Sequence, residues 1–200
     1  MRALRLNPET DAVLAVDVQR GFMPGDAPGY GELPAPGGDR VAAPLAALAG
    51  HVSIFAASGD SHPADHSSFK TRGGIWPAHC VAGTPGARLH PLIEQALTPG
   101  WFFAKGTTRD ADAYSAFAVS DLADRLRQAG ITRLLVGGLV TNVCVLATAM
   151  DALAAGFEVV VLTDACAAVQ AAGVPTGQEA LAQLRESGAT LTTSSALTRG

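Results

Sequence analysis

The chain has 200 residues, 48% of them hydrophobic and 16% charged, with a net charge of −4 and a pI near 5.7. That length suits one domain, residues 1–200, with a substantial core, and the apolar content excludes a disordered chain. Scattered basic residues argue against nucleic acid as a partner, and the longest apolar runs, LLVGGLV and FEVVVL, are far too short to span a membrane.

In chain order, MRALRLNPETDAVLAVDVQ reads as a short lead into a strand rather than a signal segment, and AVLAVDV (12–18) predicts a buried strand. DRVAAPLAALAG (39–50) predicts a helix ending at Gly50, HVSIFAAS (51–58) a second strand opened by a structural His51, and WFFAK (101–105) a third. SDLADRLRQAG (120–130) starts on a Ser/Asp cap, carries Leu122 and Leu126 at helical spacing and stops at Gly130. TRLLVGGL (132–139) predicts a fourth strand, TNVCVLATAMDALAAG (141–156) an Ala-rich helix, and EVVVLT (158–163) a fifth strand. GQEALAQLRESG (177–188) predicts a helix and TLTTS (190–194) the last strand. Apolar strands separated by helices imply βαβ units and a parallel sheet. Two stretches lack periodicity, 24–38 and 59–100, and loops of that length in a compact domain are usually functional.

Open parallel sheets bind ligands beyond the carboxyl ends of their strands. Asp17 falls at the end of the first strand, Asp60 and His62 follow the second, Lys105 ends the third, and Cys144 lies just past the fourth. Cys144 would sit in the first turn of a helix capped by Thr141 or Asn142, where the dipole favours thiolate and backbone N–H groups can receive an oxyanion. Asp17 is the candidate proton acceptor, and Lys105 would keep it ionised. Cys80 and Cys166 read as small buried hydrophobes, and three well-separated cysteines argue for reduced thiols in a cytoplasm. GDSHPADHSSF (59–69) crowds two imidazoles and two carboxylates into one loop. Asp60 and His62 at i and i+2 on an extended segment face the same way, and His79 comes from WPAHC (76–80). One carboxylate and two imidazoles suit a divalent metal ion, Zn, Mn or Fe, with His66 as an additional candidate ligand. Asp65 and His90 read as surface residues.

The motifs DVQRGF, DSHPADHSSF, WPAHCVAGTPGA, KGTTRDADAYSAF and GLVTNVCV, in that order, resemble those of the nicotinamidase branch of the isochorismatase-like cysteine hydrolases. The resemblance implies an α/β three-layer sandwich, a six-stranded parallel sheet with helices on both faces. It implies a catalytic triad of Asp17, Lys105 and Cys144, with metal held by Asp60, His62 and His79 and in some members by a fourth ligand at the position of His66. Phe22 and Trp76 match positions that sandwich a pyridine ring, and Tyr114 matches a further pocket position. A cis peptide is implied at Leu139–Val140, with the N–H groups of Val140 and Cys144 forming an oxyanion hole. The implied substrate is a small-molecule amide, nicotinamide, hydrolysed through a thioester in NAD salvage. Ser61 and Asn142 depart from the family's usual aromatic and Asp, which points towards relatives acting on carbamoyl or ureido compounds. Isochorismate hydrolysis and a non-catalytic metal-binding role are more distant alternatives, and assembly as a homo-oligomer stays open.

Overall fold

The computed structural model describes residues 4–118 and 121–198. Its strands are β1 (Leu4–Arg5), β2 (Asp11–Val16), β3 (Ile54–Asp60), β4 (Phe102–Lys105), β5 (Arg133–Leu139), β6 (Glu158–Ala167), β7 (Thr190–Thr192) and β8 (Leu197–Thr198). β1 and β8 pair only with each other, while the other six form one sheet in the order β4-β3-β2-β5-β6-β7. Every pairing in that sheet is parallel. From the central β2 the chain works outward through β3 and β4, crosses back to β5, and works outward again. The order therefore reverses between β2 and β5, and that switch point opens a crevice at the strands' carboxyl ends.

β2 and β3 are buried at every position, which explains why their sequences run apolar instead of alternating. Successive side chains still point to opposite faces. Val13, Ala15, Phe55, Ala57 and Leu135 pack with α1 (Ala42–Ala46) and α2 (Pro91–Ala96). Leu14, Val16, Ile54, Ala56, Leu134 and Val136 pack with α3 (Leu122–Gln128), α4 (Leu146–Ala154) and α5 (Gly177–Glu186). Each fully buried Val, Leu or Ile contributes about 1.5–3 kcal/mol, so the two layers clamp the central strands from both sides. Among the described residues no helix is long and apolar enough to cross a membrane.

The local elements depart from expectation in several places. The helix expected over 39–50 is a single α turn and a half, flanked by 3-10 turns at Gly38–Arg40 and Ala49–His51. Pro44 removes an N–H donor there, and the chain tightens to reach β3, so His51 closes a turn and the strand opens at Ile54. α2 has no counterpart in the expected elements; Pro91 occupies its first turn and the His90 ring caps it by accepting from Leu92 N–H at 3.2 Å. α3 begins at Leu122 after Asp121, whose side chain makes no cap bond; Ser120 lies outside the described residues. α5 opens on a capping box in which Thr176 and Glu179 exchange hydrogen bonds.

Candidate active site

Four strand ends converge on the crevice. Asp17 leaves β2 with φ 49°, a left-handed conformation that Asp tolerates better than most residues, and Ser58 Oγ donates to its Oδ1 at 2.7 Å. Asp60 ends β3 and is the register partner of Lys105, which ends β4. The Lys105 ammonium lies 2.5 Å from Asp60 Oδ1, 2.9 Å from Asp17 Oδ2, 3.1 Å from Ala113 O and 3.5 Å from Cys144 Sγ. Asp17 and Lys105 are 0% and 1% exposed, so bulk water screens this pair little. Cys144 sits in a wide π turn, Thr141–Val145, that leads from β5 into α4. Its sulfur and carboxylate oxygens of Asp17 and Asp60 lie within 4.8 Å of one another.

One cation shared by two carboxylates sets the protonation states. Burial pushes Asp17 up to about 6, against the pull of Lys105 and with the help of the Asp60 charge. Burial also opposes ionisation of Asp60, but Lys105, its closest partner, and His62 hold it below the ordinary carboxyl range. Lys105 stays charged despite burial because both carboxylates outweigh it. The helix-start influence that favours thiolate at Cys144 is outweighed by this environment. Burial raises the thiol well above its ordinary value, and the carboxylates of Asp17 and Asp60 add to that against Lys105. The thiol therefore rests neutral and needs a proton acceptor beside it. The expected side-chain caps are corrected, since neither Thr141 nor Asn142 caps the turn. Asn142 instead donates to Val169 O at 3.0 Å and Pro175 O at 2.7 Å and accepts from Val169 N–H at 3.1 Å.

Beside the triad, Asp60, His62 and His79 offer ligand atoms within 4.8 Å of one another. Asp60 Oδ2 is 3.5 Å from His62 Nε2 and 4.0 Å from His79 Nε2. His62 Nδ1 meets Gly106 O at 2.9 Å and His79 Nδ1 meets Pro77 O at 2.8 Å. A carbonyl only accepts, so each Nδ1 carries a proton and each Nε2 is the nitrogen turned towards Asp60. That donor set fits a divalent cation, with both imidazoles oriented from behind as metal-ligating histidines are. Gly106 must lack a side chain, because a Cβ there would lie 2.4 Å from the His62 ring. His66 stands outside this triangle. Its ring stacks on His62 with centroids 4.3 Å apart, and its nitrogens face Ser68 Oγ at 2.8 Å and Ala111 O at 3.2 Å.

A tight cavity opens over both groups. Phe22, Trp76, Tyr114 and Val140 line it together with Asp60, His62, His79 and Cys144. Trp76 Nε1 donates to Tyr114 Oη at 3.3 Å across its mouth. Leu139 does not line it; its side chain is in the core, and the Leu139–Val140 peptide is cis. Ser61 and Asn142 are not lining residues either, so their departure from the family pattern does not touch the cavity. Reasoning from sequence missed Leu33, Ser68, Asp112 and Val143 in the lining. It also missed Gln19, whose buried amide donates to Asp60 O at 2.8 Å and accepts from Asp60 N–H at 2.7 Å. The flagged excursions 24–38 and 59–100 gave a signal for Leu33 and Ser68, and Asp112 and Val143 lie within the quoted motifs.

The isochorismatase domain model matches residues 11–196. The chain belongs to the isochorismatase family. Within it, a nicotinamidase of Acinetobacter baylyi is 34% identical over 184 residues, covering 81% of this chain and 83% of that protein. PnC1 of L. infantum, solved in complex with nicotinate, superposes with a TM-score of 0.84 at 36% identity, covering 98% of each chain. A pyrazinamidase of Pyrococcus horikoshii in complex with zinc gives 0.79 at 36% identity, covering 93% of this chain and 99% of that one. This isochorismatase-family chain thus shares its six-stranded parallel sheet with solved amidases.

Proposed function

We propose that the protein is a nicotinamidase, hydrolysing nicotinamide to nicotinate and ammonia through a thioester on Cys144. The observation that carries this reading is the convergence of Cys144, Asp17 and Lys105 beside the Asp60, His62 and His79 triangle on one cavity walled by Phe22 and Trp76. Likeness to nicotinamidases across four-fifths of the chain supports the same substrate. Asp17 takes the Cys144 proton as the sulfur attacks the carboxamide carbon, and the oxyanion rests on the N–H groups of Val140 and Cys144. Asp17 then returns the proton to the departing ammonia, and later deprotonates the water that hydrolyses the thioester. Lys105 stabilises the charged form of Asp17 between these transfers. Asp60, His62 and His79 would hold a divalent ion, which supplies a Lewis-acidic point for the pyridine nitrogen, directly or through a water. Zinc in the Pyrococcus relative supports that metal over manganese or iron. His66 supports the ring of His62, and Phe22, Trp76 and Tyr114 hold the substrate ring.

The whole chain would act as one hydrolase domain in the cytoplasm, where its three free cysteines stay reduced, and would serve NAD salvage. Ammonia release from nicotinamide, pyrazinamide and a panel of carbamoyl compounds, with and without chelator, tests the reading. Turnover of nicotinamide that chelator suppresses, and that Cys144→Ala abolishes with metal content unchanged, is the expected result. Turnover of carbamoyl compounds alone would replace nicotinamide with the ureido class, and wild-type rates in Cys144→Ala would end the mechanism.

A further inference from the structure

Glu32 lies in the irregular 24–38 excursion, far in sequence from Asp60, His62 and His79, yet its carboxylate reaches the backbone next to His79. Cys80 N–H donates to Glu32 Oε2 at 2.8 Å across 48 residues of sequence. A Cβ at Gly86 would lie 2.1 Å from Oε2 and 2.2 Å from Oε1, and one at Gly21 would lie 2.7 Å from Oε2. Neither glycine has a left-handed φ, so backbone conformation does not call for them; at Gly86 room for this carboxylate does, and at Gly21 room for it and for Cys80 Sγ. Both glycines adjoin site segments, since Gly21 precedes Phe22 and Gly86 follows the His79 loop. Cys80 itself has φ 46°, an uncommon conformation for a non-glycine residue that needs outside support. A hydrogen bond to a carboxylate is about twice as strong as a neutral one and supplies that support.

We propose that Glu32 is a positioning residue for the metal site, holding the Cys80 amide and through it the place where His79 delivers Nε2. The inference rests on the reading that Asp60, His62 and His79 hold a divalent ion. His79 Nδ1 bonds only within its own loop, to Pro77 O, so that bond orients the ring without anchoring the loop to the rest of the molecule. The Glu32 contact is one that does. The same excursion places Leu33, whose N–H donates to Gly21 O at 2.9 Å, against the cavity. The carboxylate thus holds the loop bearing His79, while the backbone beside it, at Leu33, ties the same excursion to the segment bearing Phe22.

Zinc dissociation constants, measured by chelator competition on the full chain, test this. Glu32→Ala should weaken zinc binding roughly tenfold to a hundredfold, as loss of an outer partner of a metal ligand does, while Glu32→Gln keeps an acceptor and stays within about threefold. Gly86→Ala, which drives a methyl group into the carboxylate while Glu32 remains, should weaken it comparably. The Glu32→Ala/Gly86→Ala pair should be no worse than Glu32→Ala alone, because nothing is left to collide with. Activity lost at limiting zinc should return in Glu32→Ala when zinc is raised. Unchanged zinc affinity in a folded Glu32→Ala overturns the proposal, as do equal losses in the Gln and Ala variants. Should Glu32→Ala fail to fold, Gly86→Ala with wild-type affinity overturns it. A wild-type chain that binds no zinc removes the metal reading and this inference together, whereas tight wild-type binding with indifferent variants removes the role of Glu32 alone.

Discussion

Lys105 is short of charge for its two carboxylates, and the shortage has a kinetic signature. Asp60 takes the closer contact and remains ionised, while Asp17, raised to about 6, titrates near neutrality. Asp17 must be ionised to accept the Cys144 proton, so kcat/KM should rise with pH up to about 6 and fall about tenfold per unit below it. Lys105→Met removes the pull that lowers Asp17, so the acid limb should move to higher pH. A limb that stays in place or moves to lower pH in that variant would contradict this account. These residues were legible in the sequence because an ionisable group at the end of an apolar strand is conspicuous. How strongly the Cys144 thiol holds its proton was not, because that depends on burial and on two carboxylates brought from residues 17 and 60. Gln19 and Glu32 were illegible for a related reason: a polar side chain seated on the backbone of a distant loop leaves no local pattern.

The turn between β5 and α4 is held from outside by Asn142. Its amide donors face two carbonyl oxygens, and Asn142→Asp would turn a donor into an acceptor there. The ionised variant should lose about 2–3 kcal/mol of stability, the cost of leaving buried partners unpaired. Burial among carbonyls would raise the new carboxyl above its unfolded value, so the folded state binds the proton more tightly and the deficit should shrink as pH falls. Urea midpoints at pH 8 and pH 5 would check this; an equal deficit at both would refute it. Long buried strands and the Ala-rich α4 could be read from composition and period. α2 could not, because its one buried residue, Ile93, makes no periodicity in a turn and a half. The pairing of β1 with β8 joins two residues at each end of the described chain and carries no local signal either.

At the scale of the whole molecule, the sheet order decides where everything meets. Parallel strands separated by helices were enough to predict the crevice, and the reversal between β2 and β5 put it between Asp17 and Cys144. A cation seated on Asp60, His62 and His79 exists only in the folded state, so it should stabilise the chain as a whole. At a hundredfold excess over its dissociation constant zinc should add about 2.7 kcal/mol, which raises Tm by roughly 5–10 °C for a chain of this size. His79→Ala should abolish the rise in a thermal melt, and a full rise in that variant would mean that zinc binds elsewhere. The groups assigned to bond breaking hang from strand ends, whereas Leu33, Trp76 and Tyr114, which wall the cavity, come from the irregular segments between. Evolution can therefore vary the admitted ligand by exchanging loop residues while inheriting the reactive apparatus unaltered, as divergence within one scaffold requires.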